Sequence, residues 1–238
     1  MTINEKKIAL VTGANKGIGY ETARLLAQKG ITVLLGARDK EKGEEAAKKL
    51  RNENLDVRFL PVDLNDQKTH SGAARFIEEE FGRLDILINN AGVLEDYDVP
   101  ASAGTLDQWR KTFETNVFNL VALTQTLLPL VKKSQAGRIV NVSSSMGSLK
   151  LNREASSSTA YNASKAAVNM FTINLAHELK ETPIKVNSAD PGWVKTEMGG
   201  ANALLAVEDG AQTSIALATL PADGDTGKFF HLNDELPW

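Results

Sequence analysis

A doubly wound α/β fold, with a parallel sheet of about seven strands and helices on both faces, is what this 238-residue sequence predicts. Three observations carry that expectation. Short apolar runs alternate with longer helix-period segments along the whole chain, the pattern of repeated βα units. The first apolar run ends in a glycine cluster that opens directly into a helix. Glycine and proline are scattered, with no linker, internal repeat or low-complexity stretch, so residues 1–238 read as one domain.

Residues 7–11 (Lys-Ile-Ala-Leu-Val) have the composition of a buried parallel strand. Thr12, Gly13, Ala14, Asn15, Lys16, Gly17, Ile18 and Gly19 follow, spaced G-x-x-x-G-x-G rather than G-x-G-x-x-G. Glycines here let the backbone approach a pyrophosphate whose charge rests on the helix N-terminus; the other reading is an ordinary glycine turn. The helix carries Ile18, Ala23, Leu25, Leu26 and Ala27 as its apolar positions and stops at Gly30. Next come a strand at 31–35, a charged helix at 39–52, a strand at 57–62, a helix at 66–81 and a strand at 86–88. A long helix is expected over 106–133, interrupted or kinked near Pro129. A strand at 138–143, a helix at 161–179, a strand at 184–189, a helix at 207–220 and a final strand at 228–230 complete the series. Ligands of such sheets bind beyond the carboxyl ends of the strands. Thr12, Asp63, Asn89, Ser144 and Pro191 all follow strand ends and should converge on one crevice.

The helix at 161–179 holds the most telling pair. Tyr161 and Lys165 stand four residues apart, hence on one helix face. A free tyrosine titrates at about 10, and an adjacent ammonium favours the phenolate, drawing the pKa toward working pH. A tyrosine tuned in this way serves as a general acid or base. The same spacing also arises by chance in many helices, so the pair gains meaning from its company.

Composition narrows the function. A net charge of −3 and no basic stripe with interleaved aromatics argue against a nucleic-acid surface. No stretch approaches the ~20 apolar residues that span a bilayer, so no membrane partner is expected. Residues 1–7 lack the apolar core of a signal peptide, and the absence of cysteine excludes disulfides and thiolate chemistry; both point to a cytoplasmic protein. His70, His177 and His231 fit no metal-ligand spacing, so no metal is expected.

The glycine loop, Asn89-Asn90-Ala91-Gly92 after the fourth strand, a helix asparagine at Asn116, Asn141-Val142-Ser143-Ser144, the Tyr161/Lys165 pair and Pro191-Gly192 occur in the order of the short-chain dehydrogenase/reductase family. The chain resembles that family over nearly its whole length. Lys16, Arg38 and the ending from Gly227 to Trp238 resemble its carbonyl reductase branch. The resemblance implies a Rossmann fold and a catalytic tetrad of Asn116, Ser144, Tyr161 and Lys165. Tyr161 would protonate the carbonyl oxygen as hydride arrives from a nicotinamide, and Ser144 would stabilise the charge growing on that oxygen. Lys165 would lower the Tyr161 pKa and hold the ribose hydroxyls, and Asn116 would hold a water that resupplies protons through Lys165, or else make a purely structural bond. Three adjacent serines complicate one assignment: alignment on Asn-Val-Ser-Ser chooses Ser144, and strand alternation points Ser143 and Ser145 to the other side.

Cofactor contacts are expected from Gly13, Asn15, Lys16, Gly17, Ile18 and Gly19, from Asp63 and Leu64, and from Asn90, Ala91 and Gly92. Tyr161, Lys165, Pro191, Gly192, Val194 and Thr196 complete the set. Asp63 would meet the adenine amine, or else cap the next helix. An NAD site places an acidic side chain after the second strand. Here Arg38 stands there, with Lys16 in the glycine loop, and two cations point to NADP(H); Asp39 remains the acidic alternative if the strand runs longer. Residues 193–207, with Gly199-Gly200, read as a substrate lid or as a plain loop leading into a helix. Leu94, Met146 and Trp193 are candidates for the substrate pocket.

The sixteen residues between Ser144 and Tyr161, which include Ser156-Ser157-Ser158, lack the long insertion of monomeric carbonyl reductases. The helices at 106–133 and 161–179 are then left free to pair, and a homodimer or homotetramer is expected. The expected activity is NADPH-dependent reduction of an aldehyde or ketone. A 3-oxoacyl thioester, a steroid or a sugar is the alternative substrate, and a non-catalytic NADP(H)-sensing module the alternative class.

Overall fold

Every residue of β1 (Ile8–Thr12), β2 (Thr32–Ala37), β4 (Ile86–Asn89) and β5 (Arg138–Val142) is buried. Strands covered on both faces read as near-continuous apolar runs rather than as alternation. The structure, a computed structural model, describes residues 6–154 and 157–238. Most of the N-terminal stretch read above, and Ser156 of the serine run, lie outside the described residues. With β3 (Val57–Pro61), β6 (Lys185–Ala189), β7 (Phe229–His231) and β8 (Asp234–Glu235), the strands form one sheet ordered β3-β2-β1-β4-β5-β6-β7-β8. Every pairing is parallel except β7 with β8. The strand beyond the expected seven is this two-residue antiparallel edge, too short for any periodicity to reveal.

Helices α1 (Gly17–Gln28), α2 (Lys40–Asn52) and α7 (Val207–Ala218) pack Ala23, Leu26, Ala47, Leu50 and Ile215 against Val11, Val33, Leu35 and Val140 on one face. On the other, α3 (Gln67–Phe81), α5 (Asn119–Val131) and α6 (Thr159–Glu178) pack Ile77, Leu123, Leu127 and Leu175 against Leu10, Leu34, Leu87 and Ile139. Each such valine, leucine or isoleucine contributes about 1.5–3 kcal/mol by leaving water, and each alanine about 1 kcal/mol or less.

The segment expected as one helix over 106–133 is interrupted, but not at the proline. A π-helical turn at Glu114–Phe118 separates α4 (Leu106–Phe113) from α5, while Pro129 lies within the last turn of α5. The wider turn accommodates one extra residue per helical repeat. It turns Asn116 inward to 1% exposure.

A row of polar side chains crosses the sheet near the carboxyl ends, where Asn89, Asn141 and Ser188 are in register. Asn89 Nδ2 donates to Thr124 Oγ1 (2.9 Å) and Asn141 Oδ1 (2.8 Å). Asn141 Nδ2 and Ser188 Oγ both donate to Thr172 Oγ1 at 2.9 Å. Since buried polar groups are costly unless bonded, this row fixes α5 and α6 relative to the strand ends.

Arg138, 2% exposed at the start of β5, donates to four carbonyl oxygens, those of Gly137, Pro183, Leu220 and Pro221. It joins the sheet to the chain beyond α7. Arg138→Met would leave buried carbonyls without donors and should destabilise the protein by about 3 kcal/mol in urea unfolding. A loss within the range of a surface substitution would contradict this.

Candidate active site

The strand order reverses at β1, so β1 and β4 part above the sheet and open a crevice. Thr12 stitches its floor. Its Oγ1 accepts from Asn90 N and Ala91 N at 3.0 Å, and its carbonyl accepts from Asn90 Nδ2 at 2.8 Å. Two glycines are dictated by this contact. Gly13 has φ +63°, and a Cβ on Gly19 would lie 2.4 Å from Asn90 Nδ2 and 2.6 Å from Gly13 O. The N-terminus of α1, which opens into the crevice, has no side-chain cap and no acidic residue in its first turn. By contrast, α2 and α3 are capped by Asp39 and Asp66. Unclaimed N–H groups at a glycine-lined helix start suit a pyrophosphate.

The resulting cleft has a volume of about 880 Å³ and is lined by Gly13, Asn15, Lys16, Gly17, Ile18 and Gly19 on the α1 side. Asp63 and Leu64 line it after β3, and Asn90, Ala91 and Gly92 after β4. Tyr161, Lys165, Pro191 and Thr196 complete the wall. Sixteen of the eighteen expected cofactor positions, counting Arg38, thus share one surface. Gly192 and Val194 do not. A Cβ on Gly192 would run into Leu205 and His231, and the Val194 side chain is buried against Gly210. These two residues shape the wall from behind.

Helix α6 is positioned from a distant loop. Asp96, 2% exposed, accepts from Ala160 N (2.7 Å) and Tyr161 N (3.3 Å), capping the helix that Ser158 begins in a left-handed conformation. One turn on, Lys165 Nζ lies 5.5 Å from the Tyr161 ring centroid and donates to Val142 O at 2.8 Å. Ser144 Oγ hydrogen-bonds the Tyr161 hydroxyl and also accepts from Met146 N. Ser143 points the other way, its Oγ donating to Lys165 O. Of the three serines, Ser144 is the one that meets the tyrosine.

The electrostatics depart from expectation. Tyr161 is pushed up to about 12, mainly by burial, with the Ser144 hydrogen bond opposing and Asp190 adding to the rise. Lys165 is pushed down to about 8 by burial, offset in part by Asp190. The lysine therefore does not depress the phenol here: it stands over the ring, tied to a carbonyl, while desolvation dominates both groups.

Asn116 makes structural bonds, the alternative that the sequence left open. Its Oδ1 accepts from Val93 N (2.8 Å), and its Nδ2 donates to Val93 O (2.9 Å) and Ser164 Oγ (3.0 Å). That amide bonds to three protein groups. It braces the loop after β4 against α6, beside Gly92 and Lys165.

At the far end of the cleft, β2 stops at Ala37 and Asp39 accepts from Lys42 N, so Asp39 serves as a helix cap. Arg38 is exposed and lines the cleft. Lys16 forms an ion pair with Glu197. Asp63 accepts from Asn65 N, and Asp66 rather than Asp63 caps α3. Among the pocket candidates, Leu94 lines the cleft; Trp193 instead donates to Gly199 O, and Met146 O accepts from Asn152. Tyr97 and Met198, unremarkable in sequence, do line it and are exposed. Lone apolar residues in irregular loops carry no periodic signal, so only folding shows them.

A family model described as short chain dehydrogenase matches residues 7–204. Short-chain dehydrogenase anuI of Penicillium roqueforti is 38% identical, covering 90% of this chain and 89% of that protein. Carbonyl reductase (NADPH) 1 of Rattus norvegicus is 32% identical, with 99% of each covered. Among solved structures, an NADPH-bound carbonyl reductase from chicken fatty liver superposes with a TM-score of 0.87 at 27% identity, over 98% of this chain and 100% of that one.

The buried pair has a measurable signature. Lys165 gives up its proton at about 8 in the fold and at about 10.5 when unfolded, so between those values the unfolded chain binds more protons and stability rises with pH. Tyr161 opposes this above its ordinary 10.0, where the fold retains a proton the unfolded chain has lost. Lys165→Met should therefore gain most over the parent below about pH 8, and the advantage should narrow from about pH 8 to 10. Urea unfolding across this range checks it; a constant difference would contradict it.

Proposed function

The chain belongs to the short-chain dehydrogenase/reductase family, and we propose that within it this protein is an NADPH-dependent carbonyl reductase acting on an aldehyde or ketone. The observation that carries the reading is that Tyr161 and Lys165 line the same cleft as the glycine loop, with Ser144 on the tyrosine hydroxyl. Bound NADPH supplies the hydride. Tyr161, protonated at neutral pH because burial holds its pKa high, donates its proton to the carbonyl oxygen. Ser144 hydrogen-bonds that oxygen and stabilises the charge forming on it. Lys165 would hold the ribose hydroxyls of the bound cofactor and supply positive charge there. Asn116 fixes the Val93 backbone and Ser164, and so sets the spacing between the loop after β4 and α6.

NADP(H) over NAD(H) is supported by Arg38 at the end of β2 and by Lys16 in the loop, with Asp39 occupied as a cap. Residues 1–238 act as one catalytic unit, and 193–207 serve as its substrate lid. Lid movement is confined to the tip. Lys195 N donates to Leu205 O, and Leu204 N and Leu205 N both donate to Trp193 O, which ties the base down. Exposed Tyr97 and Met198 at the cleft favour an apolar carbonyl compound over a sugar.

A spectrophotometric screen of aldehydes and ketones should show NADPH consumption with at least about tenfold preference over NADH, a discrimination of about 1.4 kcal/mol. Tyr161→Phe should lower kcat by at least about 100-fold while NADPH binding persists. Cofactor binding without turnover, or a tenfold preference for NADH, would count against the reading. Phe118 and Met170, exposed on the π turn and α6, would be covered by a second copy in a homodimer or homotetramer. Light scattering should give two or four times the 25.7 kDa chain mass; a monomer would refute this.

A further inference from the structure

We propose that Asp190 is a positioning residue of this site: its carboxylate is the buried counter-charge of Lys165 and the anchor of the Ser144 turn, held in place by His231 from β7. The proposal rests on the Tyr161–Lys165 chemistry above. Asp190 follows β6 and is 5% exposed. A carboxylate removed from water needs partners to offset a desolvation cost of several kcal/mol, and those partners identify its work. Oδ1 accepts from Ser145 N at 3.0 Å. Ser145 opens the short 3-10 turn Ser145–Gly147, whose N-cap is Ser144. The carboxylate thus holds the turn that presents the Ser144 hydroxyl to Tyr161.

Oδ2 lies 3.2 Å from His231 Nδ1, and the same nitrogen lies 3.2 Å from Asp190 O. Two acceptors on one ring nitrogen assign the proton to Nδ1. Gly192 makes the approach possible: a Cβ there would lie 3.0 Å from His231 Cε1. Neither partner is a lysine or arginine. Asp190 is the charged residue that works on both groups, favouring the ammonium of Lys165 and the neutral phenol of Tyr161. Around Lys165, α6 contributes Tyr161, the π turn the uncharged Asn116, and β5 the Val142 carbonyl. Val142, whose carbonyl accepts from Lys165, pairs with Ala189 across the sheet, and this register brings the next residue, Asp190, with His231 bound to it, to the lysine's end of β5. By this arrangement a lysine that burial drives toward neutrality keeps its proton near working pH.

The test compares the parent with Asp190→Asn, which keeps an acceptor for Ser145 N but no charge, and Asp190→Ala, which keeps neither. Lys165 is titrated by NMR in protein labelled with 13C at lysine Cε, its signal identified with Lys165→Met, and pH profiles of kcat are recorded alongside. Both Asp190 variants should lower the Lys165 midpoint by on the order of one pH unit. The alkaline limb of kcat should move with it, and Asp190→Ala should lose further turnover at every pH. An unmoved midpoint overturns the counter-charge, whatever happens to turnover. Equal turnover of the two variants at neutral pH overturns the anchoring of Ser144. A lowered midpoint in a protein whose parent reduces no carbonyl upholds the counter-charge and removes the reductase reading instead. Either variant alone decides the midpoint if the other fails to fold.

Discussion

An ammonium group taken out of water is costly unless its surroundings replace the lost solvation, and Lys165, at 5% exposure, sits under that constraint. What surrounds it accounts for much of the site. The Val142 carbonyl at the end of β5 accepts a hydrogen bond from it, the Tyr161 ring lies beneath it, and the buried Asp190 carboxylate favours its charged form. The same burial keeps the phenol protonated, and in the proposed reaction it would hold that proton until a stronger acceptor arrives. A developing alkoxide is such an acceptor, whereas bulk water at neutral pH is not. In the proposed reduction, that dryness is what would make an ordinary phenol a selective donor.

The rest of the fold delivers backbone and side-chain groups to that point with little freedom. Thr12 ties β1 to β4 at the switch point, and Asp96 reaches from the following loop to cap α6. The Asn89–Asn141–Thr172 row locks α6 to the strand ends. Asn116, turned inward by the π turn, braces the loop after β4 against α6. These polar bonds all fall on the carboxyl side of the sheet. Stability comes mainly from the layers, and geometry from the polar ties.

Much of this was legible in the sequence wherever a pattern has a physical cause that is local. Buried parallel strands must be apolar throughout, so they were readable to within a residue or two. Glycines at Gly13 and Gly19 are required by close backbone approach, so the loop was readable as well. Position-specific long-range contacts were not. Nothing local marks Asp96 as a cap for a helix 64 positions later. Asp190 and His231, 41 positions apart, meet only because β6 and β7 are neighbours. The break near Asn116 was misplaced to Pro129 because proline is a visible helix breaker and a π turn has no comparable mark. The expected fall in the Tyr161 pKa failed for a related reason: spacing shows that two groups are close, but burial decides which charge state survives.

The most direct test of the central claim is a paired isotope measurement on carbonyl reduction. Turnover is compared with protiated and 4-deuterated NADPH, in water and in heavy water, for the parent and for Tyr161→Phe. Proton donation by the buried tyrosine in concert with hydride arrival predicts a cofactor isotope effect and a solvent isotope effect on the same step, with turnover collapsing in the variant. A cofactor effect without any solvent effect, together with a Tyr161→Phe protein that turns over at the parent rate, would contradict it.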